Sequence, residues 1–173
     1  MKEVDEMIKK FIKSNKPVTL SPELLVANSV LNKAFSKGAS VTNLKLQKLI
    51  YFVYKKHLKD TGYALFGDFF EVWTYGPVLP SVYHAFKRYG ANDIDDYAYS
   101  TYDSSKRILI VSSSDTAFYG ALEWVWTVYG NSDAISLVGL THKEGTAWHI
   151  ADKRKSAYLD DLDIMQEEWH FDG

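Results

Sequence analysis

The sequence predicts an α+β domain that is predominantly α: a compact helical body with a small antiparallel β-hairpin or sheet. Several segments carry apolar residues at helical spacing between clear start and stop signals. The clearest strand-like stretch, residues 69–75, is rich in aromatic and β-branched side chains. With 173 residues, 46% of them hydrophobic, the chain is long enough to bury the core of a single domain.

The two firmest elements are helices near the start of the body. Ser21 is placed to cap the first helix, Pro22 suits its first position, and Gly38 ends it. The second helix begins after Thr42 and ends at Gly62, because glycine commonly terminates helices. The apolar positions of the second helix are Leu46, Leu49, Ile50 and Val53.

A strand and turn follow these helices. Residues 69–75 form the predicted strand, and Gly76-Pro77 form the predicted turn. Pro80 then opens a helix that Gly90 ends. Residues 108–111 are apolar enough to pair with the first strand as a small sheet.

The second half of the chain adds further helices. Residues 91–105 are polar and indicate a surface loop, and a long helix is predicted over 115–129. A shorter helix is predicted near 133–140. Thr141 and Glu144 have the spacing of a capping box, in which each side chain satisfies an amide of the helix start.

Charge divides the chain into three predicted parts. Residues 1–20 hold five lysines and three acids and form an N-terminal arm, and residues 21–151 form the globular domain. Residues 152–173 hold three basic and seven acidic residues and form an acidic C-terminal tail. The side chains expected to order part of this tail are Tyr158, Leu162, Met165 and Trp169.

Composition excludes several classes of function. The chain has no cysteine, so disulfides, cysteine nucleophiles and cysteine–zinc sites are excluded. The sequence has none of the common signatures of hydrolases, nucleotide-binding loops or zinc proteases. We therefore expect no enzyme activity, no catalytic residues, no cofactor and no metal. A net charge of −2 argues against nucleic acid as a partner. The lack of a long apolar run or signal-peptide pattern argues for a cytoplasmic protein without a membrane partner.

Two alternatives remain open from the residues alone. His142 with Glu71 or Glu144 would make an acid–base pair if the fold brought them together. The second alternative is a phosphate-binding stripe on the second helix, although a solvated face is the simpler explanation. The stripe consists of Lys45, Lys48, Lys55, Lys56 and Lys59.

Three separated motifs together resemble the Panacea domain, an antitoxin domain long labelled a phage-associated protein of unknown function. They are Thr42–Phe52 (TNLKLQKLIYF), Phe70–Val78 (FEVWTYGPV) with Tyr83, and Leu140–Gly145 (LTHKEG) with Trp148. The resemblance covers about residues 22–150. It rests on three motifs that agree in order and spacing.

The resemblance implies a helical, non-enzymatic protein of bacteria or of their phages and prophages. Members of the family neutralise toxins encoded beside them, and direct binding is their common property. We therefore expect a cognate protein toxin as the partner. The alternatives are an adapter that delivers a client toxin to an ATP-dependent protease, and a nucleic-acid-binding regulator.

The resemblance also supplies candidate residues for partner binding. Aromatic and polar side chains of this kind form either buried hydrogen-bond networks or the anchors of protein interfaces, and both alternatives stay open. The candidates are Gln47, Lys48, Tyr51, Glu71, Trp73, Tyr75, Gly76, Pro77, Tyr83, Thr141, His142, Glu144 and Trp148.

Overall fold

The structure, a computed structural model, describes Glu6 and residues 19–171. The predicted arm, residues 1–20, therefore lies almost entirely outside the described residues. Helices dominate the rest, and a two-stranded antiparallel sheet accompanies them, so the predicted fold class is confirmed. In chain order the elements are α1 (Pro22–Ser36), α2 (Asn43–Thr61), β1 (Glu71–Trp73), β2 (Gly76–Val78), α3 (Pro80–Phe86), α4 (Thr116–Tyr129), α5 (Ala134–Thr141), α6 (Ala147–Lys153) and α7 (Asp161–Gln166).

The predicted caps of the first two helices are confirmed. The Ser21 hydroxyl accepts a hydrogen bond from the backbone N–H of Leu24 at 3.4 Å, and the Thr42 hydroxyl accepts one from Lys45 at 3.2 Å. Gly62 ends α2 in the left-handed conformation, with φ of 75°. These local signals place both helices because the caps satisfy amides that have no partner inside a helix.

Helix α2 is the centre of the domain. It packs against α1, α3, α4, α5, α7 and β2, and fourteen of its nineteen residues are buried. No helix among residues 19–171 is long and apolar enough to cross a membrane. The sequence of a helix that is surrounded on all sides is usually apolar throughout, but α2 carries five lysines.

The expectation that this lysine stripe is a solvated face is wrong. Lys45, Lys48 and Lys55 are buried, and the chain folds around their ammonium groups. Lys45 Nζ donates to the carbonyl of Gly130 at 2.7 Å, and Lys59 Nζ donates to the carbonyl of Met165 at 2.6 Å. Four of the five lysines thus donate to carbonyls of distant segments, and Lys56 pairs with Asp60 of its own helix. The stripe therefore does not form the phosphate-binding surface considered above.

The β-hairpin is confirmed, but its turn lies two residues before the predicted position. Thr74 and Tyr75 form the turn, and Gly76 and Pro77 belong to β2, where Pro77 pairs with Val72. The N–H of Val72 points away from β2 and donates to the carbonyl of Ala157 at 3.0 Å. Proline fits opposite Val72 because an edge strand does not need its missing N–H.

Residues 108–111 do not join the sheet, so that prediction is wrong. They lie alongside α1, whose polar side chains bond their backbone. The side chain of Asn28 donates to the carbonyl of Leu109 at 2.9 Å, and the Ser29 hydroxyl accepts from the N–H of Val111 at 3.0 Å.

The capping box predicted at Thr141 and Glu144 is also wrong. Thr141 is the last residue of α5, and its buried hydroxyl donates to the carbonyl of Val138 at 2.8 Å. The next helix begins at Ala147, and Thr146 caps it by accepting from the N–H of His149 at 3.2 Å. Five residues of loop thus separate the predicted cap from the helix.

Residues 152–171 pack against α2 and α4, and two of the four side chains predicted to order them, Met165 and Trp169, pack against the core. Trp169 contacts Trp124 at 4.5 Å between ring centroids, as a packing residue should, whereas Tyr158 and Leu162 are exposed. The buried anchor is Glu167, which is 2% exposed. Its carboxylate pairs with Lys55 Nζ at 2.9 Å and accepts from the Tyr51 hydroxyl at 2.5 Å.

Candidate functional site

The hairpin is held against α2 by two neighbouring side chains of that helix. The amide of Gln47 accepts from the N–H of Leu79 at 2.9 Å, and Lys48 Nζ donates to the carbonyl of Pro77 at 2.7 Å. Both side chains are buried. Because β2 is an edge strand, these bonds satisfy backbone groups that no further strand can pair.

The tip of the hairpin is also held by a side chain of α6 and by His142, which directly follows α5. The indole N–H of Trp148 donates to the carbonyl of Trp73 at 2.9 Å, and His142 Nε2 lies 3.0 Å from the carbonyl of Thr74. The rings of His142 and Trp148 contact each other at 3.8 Å between centroids. Side chains of α2 and α6, together with His142, thus hold the backbone of the hairpin and of the residue that follows it.

Gly76 is required where these supports meet. Its φ is 99°, a backbone conformation that residues other than glycine rarely adopt. A Cβ at this position would lie 2.6 Å from Thr141 Oγ1 and 2.9 Å from Lys48 Nζ. The hairpin can approach α2 and α5 this closely because glycine has no side chain at position 76.

A cleft of about 540 Å³ opens between the fixed hairpin, the start of α2, and α3. Trp73 and Tyr83 form one wall, with ring centroids 5.0 Å apart in an edge-to-face arrangement. Tyr75 and Tyr83 are 61% and 36% exposed, so aromatic surface faces solvent at the cleft. The remaining lining residues are Asn43, Leu44, Gln47, Val72, Thr74, Val78, Lys87 and Gly90.

Most of the predicted site residues fall into two groups, and Gln47 belongs to both. Gln47, Lys48, Thr141, His142 and Trp148 belong to the hydrogen-bonded frame, together with Gly76 and Pro77 of the hairpin. The residues of the set that line the cleft are Gln47, Trp73, Tyr75 and Tyr83.

Three predicted residues neither belong to the hydrogen-bonded frame nor line the cleft. Tyr51 is buried elsewhere, against Glu167, and burial, reinforced by that carboxylate, raises the pKa of its hydroxyl well above the usual value. Glu144 is exposed in the loop between α5 and α6. The Glu71 carboxylate accepts from the indole N–H of Trp73 at 2.7 Å and so orients that ring.

The proposed acid–base pair is not assembled in this structure. Among the described residues, His142 makes no hydrogen bond to Glu71 or Glu144. Its Nδ1 lies 2.7 Å from the carbonyl of Val138, and its Nε2 faces the carbonyl of Thr74. The arrangement suits a ring that holds backbone in place.

Sequence analysis missed Asn43 and Lys87 as cleft residues. Asn43 is 5% exposed, and its Nδ2 donates to the carbonyl of Tyr83 at 3.1 Å. Its position one residue after the Thr42 cap gave it the appearance of a helix-start residue. Nothing in the local pattern around Lys87 distinguishes it from the other surface lysines.

The frame contains an amine with unusual electrostatics. Burial lowers the pKa of the Lys48 ammonium from its usual 10.5 to about 7. Among the described residues no carboxylate pairs with it, and its hydrogen-bond partner is the neutral carbonyl of Pro77. The hydration that the ammonium group of Lys48 loses on burial is therefore not compensated by a nearby negative charge.

We expect Lys48 to make stability rise with pH between about 7.5 and 9.5. In this range the unfolded chain keeps the proton of Lys48 and the folded protein releases it, so raising the pH favours the folded state by up to ~1.4 kcal/mol per pH unit. Burial lowers the pKa of Lys45 and Lys55 in the same direction, so Lys48→Met should reduce the slope and leave part of it. Urea unfolding at a series of pH values measures this, and equal slopes for the two proteins would contradict it.

Comparison with known proteins identifies the family of the chain. The family described as Antitoxin SocA-like, Panacea domain, matches residues 46–149, which include the hairpin, α5 and most of the frame. Antitoxin SocA of Caulobacter vibrioides (strain NA1000 / CB15N) is 35% identical over 139 residues, 78% of this chain and 74% of that protein. No solved structure matches the chain. The chain therefore belongs to the SocA-like antitoxin family that carries the Panacea domain.

Proposed function

We propose that this protein neutralises a cognate protein toxin in the cytoplasm by binding it directly, without catalysis, through the cleft beside the hairpin. Family membership indicates an antitoxin and a toxin partner in general. The observation that supports the cleft is the separation of roles within one motif set. Some motif side chains hold the hairpin backbone, while Trp73, Tyr75 and Tyr83 line an open cleft.

The chemistry of the cleft suits a protein partner. Tryptophan and tyrosine, with arginine, are enriched among the few residues that dominate binding energy at protein interfaces. Here the hairpin that carries Trp73 and Tyr75 is already fixed by Lys48, His142 and Trp148. A preformed surface loses little conformational freedom on binding, so more of the contact energy remains as affinity.

Removing the exposed rings should weaken toxin binding without unfolding the protein. We expect Tyr75→Ala and Tyr83→Ala each to raise the dissociation constant about 30-fold or more, as truncation of an interface hot spot does. The matched control is Tyr63→Ala, since Tyr63 is 77% exposed and does not line the cleft. Affinity is measured by titration calorimetry with the product of the neighbouring open reading frame, and neutralisation by growth on co-expression.

The outcomes separate the alternatives. Loss of growth rescue in the Tyr75 and Tyr83 variants, with rescue kept by the Tyr63 variant, supports the proposal. A neighbouring product that is harmless when expressed alone, or that forms no complex, contradicts it. A toxin that disappears from cells only when this protein is present would instead indicate delivery to a protease.

A further inference from the structure

Asn43, one of the residues that line the cleft, carries a buried hydrogen-bond acceptor that the described part of the chain leaves without a partner. The Asn43 amide is oriented by the bond from its Nδ2 to the carbonyl of Tyr83. Its Oδ1 is buried and accepts no hydrogen bond from any described residue. Buried polar atoms are nearly always paired, because an unpaired one has lost its contacts with water and gained nothing.

We infer that the cleft receives an aromatic side chain of the partner that carries a hydrogen-bond donor, tryptophan or tyrosine, and that this donor binds Asn43 Oδ1. The inference rests on the proposed function, since it specifies the part of the toxin that enters the site. It assigns a recognition role to Asn43, which lies within the first motif but is not among the candidate binding residues.

The walls of the cleft favour an aromatic body. Leu44, Val72 and Val78 supply aliphatic surface, and Trp73 supplies a ring. A volume of about 540 Å³ has room for one large aromatic side chain and parts of its neighbours. Buried tyrosine and tryptophan combine such an apolar body with a hydroxyl or N–H that needs a partner.

The charges around the cleft favour a neutral donor. Lys87 is the one charged side chain that lines the cleft among the described residues. Its charge repels an arginine or lysine of the partner. A carboxylate would be attracted to Lys87, but an ionised carboxylate has no hydrogen to donate to Asn43 Oδ1.

The depth of the acceptor favours a side chain over a partner's main chain. Tyr75 and Tyr83 present exposed rings at the cleft, whereas the Oδ1 atom of Asn43 has almost no solvent contact. A donor at the far end of a long side chain reaches such an atom more readily than a backbone N–H that remains at the surface. The indole N–H and the phenol O–H are both placed in this way.

Three small probes test the inference on the isolated protein. N-acetyl-tryptophanamide and N-acetyl-tyrosinamide carry the donor, and N-acetyl-phenylalaninamide matches them in apolar character but lacks it. We expect the first two to bind about tenfold more tightly than the third, as one added hydrogen bond implies. Titration followed by NMR should move the side-chain amide signals of Asn43 and the indole signal of Trp73.

A variant checks the role of the acceptor. Asn43→Leu removes Oδ1 and keeps a similar size, so all three probes should then bind as weakly as the phenylalanine amide. Thermal unfolding establishes that the variant is folded. If it is not, the wild-type comparison decides the question, because it needs no substitution.

Equal binding of the three probes, or binding of none, overturns the inference. Neither result bears on toxin neutralisation, which co-expression measures separately. Conversely, a protein that binds the donor probes selectively but neutralises nothing retains the aromatic site and contradicts the proposed function.

Discussion

Replacing Glu167 by alanine should destabilise the protein more than any exposed substitution, by ~3–5 kcal/mol, because it leaves a charged lysine buried without its partner. Lys55 is 1% exposed and pairs with Glu167 at 2.9 Å. The same carboxylate accepts from the Tyr51 hydroxyl and from the N–H of Ala147 at 2.9 Å. One side chain thus joins α2, the start of α6 and the C-terminal segment.

Glu168→Ala is the matched control for this substitution. Glu168 is the neighbouring carboxylate, it is exposed, and it contributes its backbone carbonyl to Lys55 at 2.7 Å. Alanine keeps that carbonyl, so we expect a change within about 0.5 kcal/mol. Chemical unfolding in urea at pH 7 measures both. A Glu167→Ala protein as stable as the Glu168→Ala protein would show that the buried pair does not stabilise the fold.

Replacing Gly76 by alanine should cost ~2–5 kcal/mol of stability, from backbone strain at positive φ together with overpacking. The added Cβ meets Thr141 Oγ1 and Lys48 Nζ at distances that real Cβ atoms essentially never show. Either the hairpin or these buried side chains must therefore shift, and both changes disturb the frame. Because that hairpin carries Trp73 and Tyr75, toxin binding should weaken as well.

Gly67→Ala provides the comparison. Gly67 lies in the exposed connection before β1, and a Cβ there has nothing within 4 Å. Alanine at such a position restricts the unfolded chain and leaves stability unchanged or raised by up to about 1 kcal/mol. Thermal unfolding of the two variants distinguishes them. Similar melting temperatures would mean that the frame around Gly76 adjusts freely, against the close packing described here.

Local signals predicted the elements that depend on local chemistry. Ser21 and Thr42 cap their helices as expected, and Gly62 ends α2. The aromatic stretch before Gly76 forms one strand of the hairpin. Its turn was misplaced because Gly-Pro is typical of turns, and the close approach of Gly76 to α5 depends on a segment 65 residues later.

The polarity of α2 could not be predicted in this way. Periodicity assigns lysines to solvent, since it has no information on carbonyls and carboxylates that arrive from distant segments. Lys45 binds a carbonyl 85 residues away, and Lys55 binds a carboxylate 112 residues away. The cleft was also beyond local patterns, because its walls come from α2, the hairpin and α3. The resemblance to a family supplied Trp73, Tyr75 and Tyr83, and it could not say which motif residues line the cleft.

The link between Lys55 and Glu167 has a consequence for biosynthesis. The ribosome makes α2 more than one hundred residues before it makes Glu167, so the nascent chain presents Lys55 to solvent and to chaperones until Glu167 has been made. Contacts so far apart in sequence form late, because closing a long loop costs entropy first. A messenger RNA truncated before the codon for Glu167 would yield a chain in which Lys55 of α2 lacks the carboxylate that pairs with it. We expect such a chain to be recognised by cellular chaperones and proteases as incompletely folded.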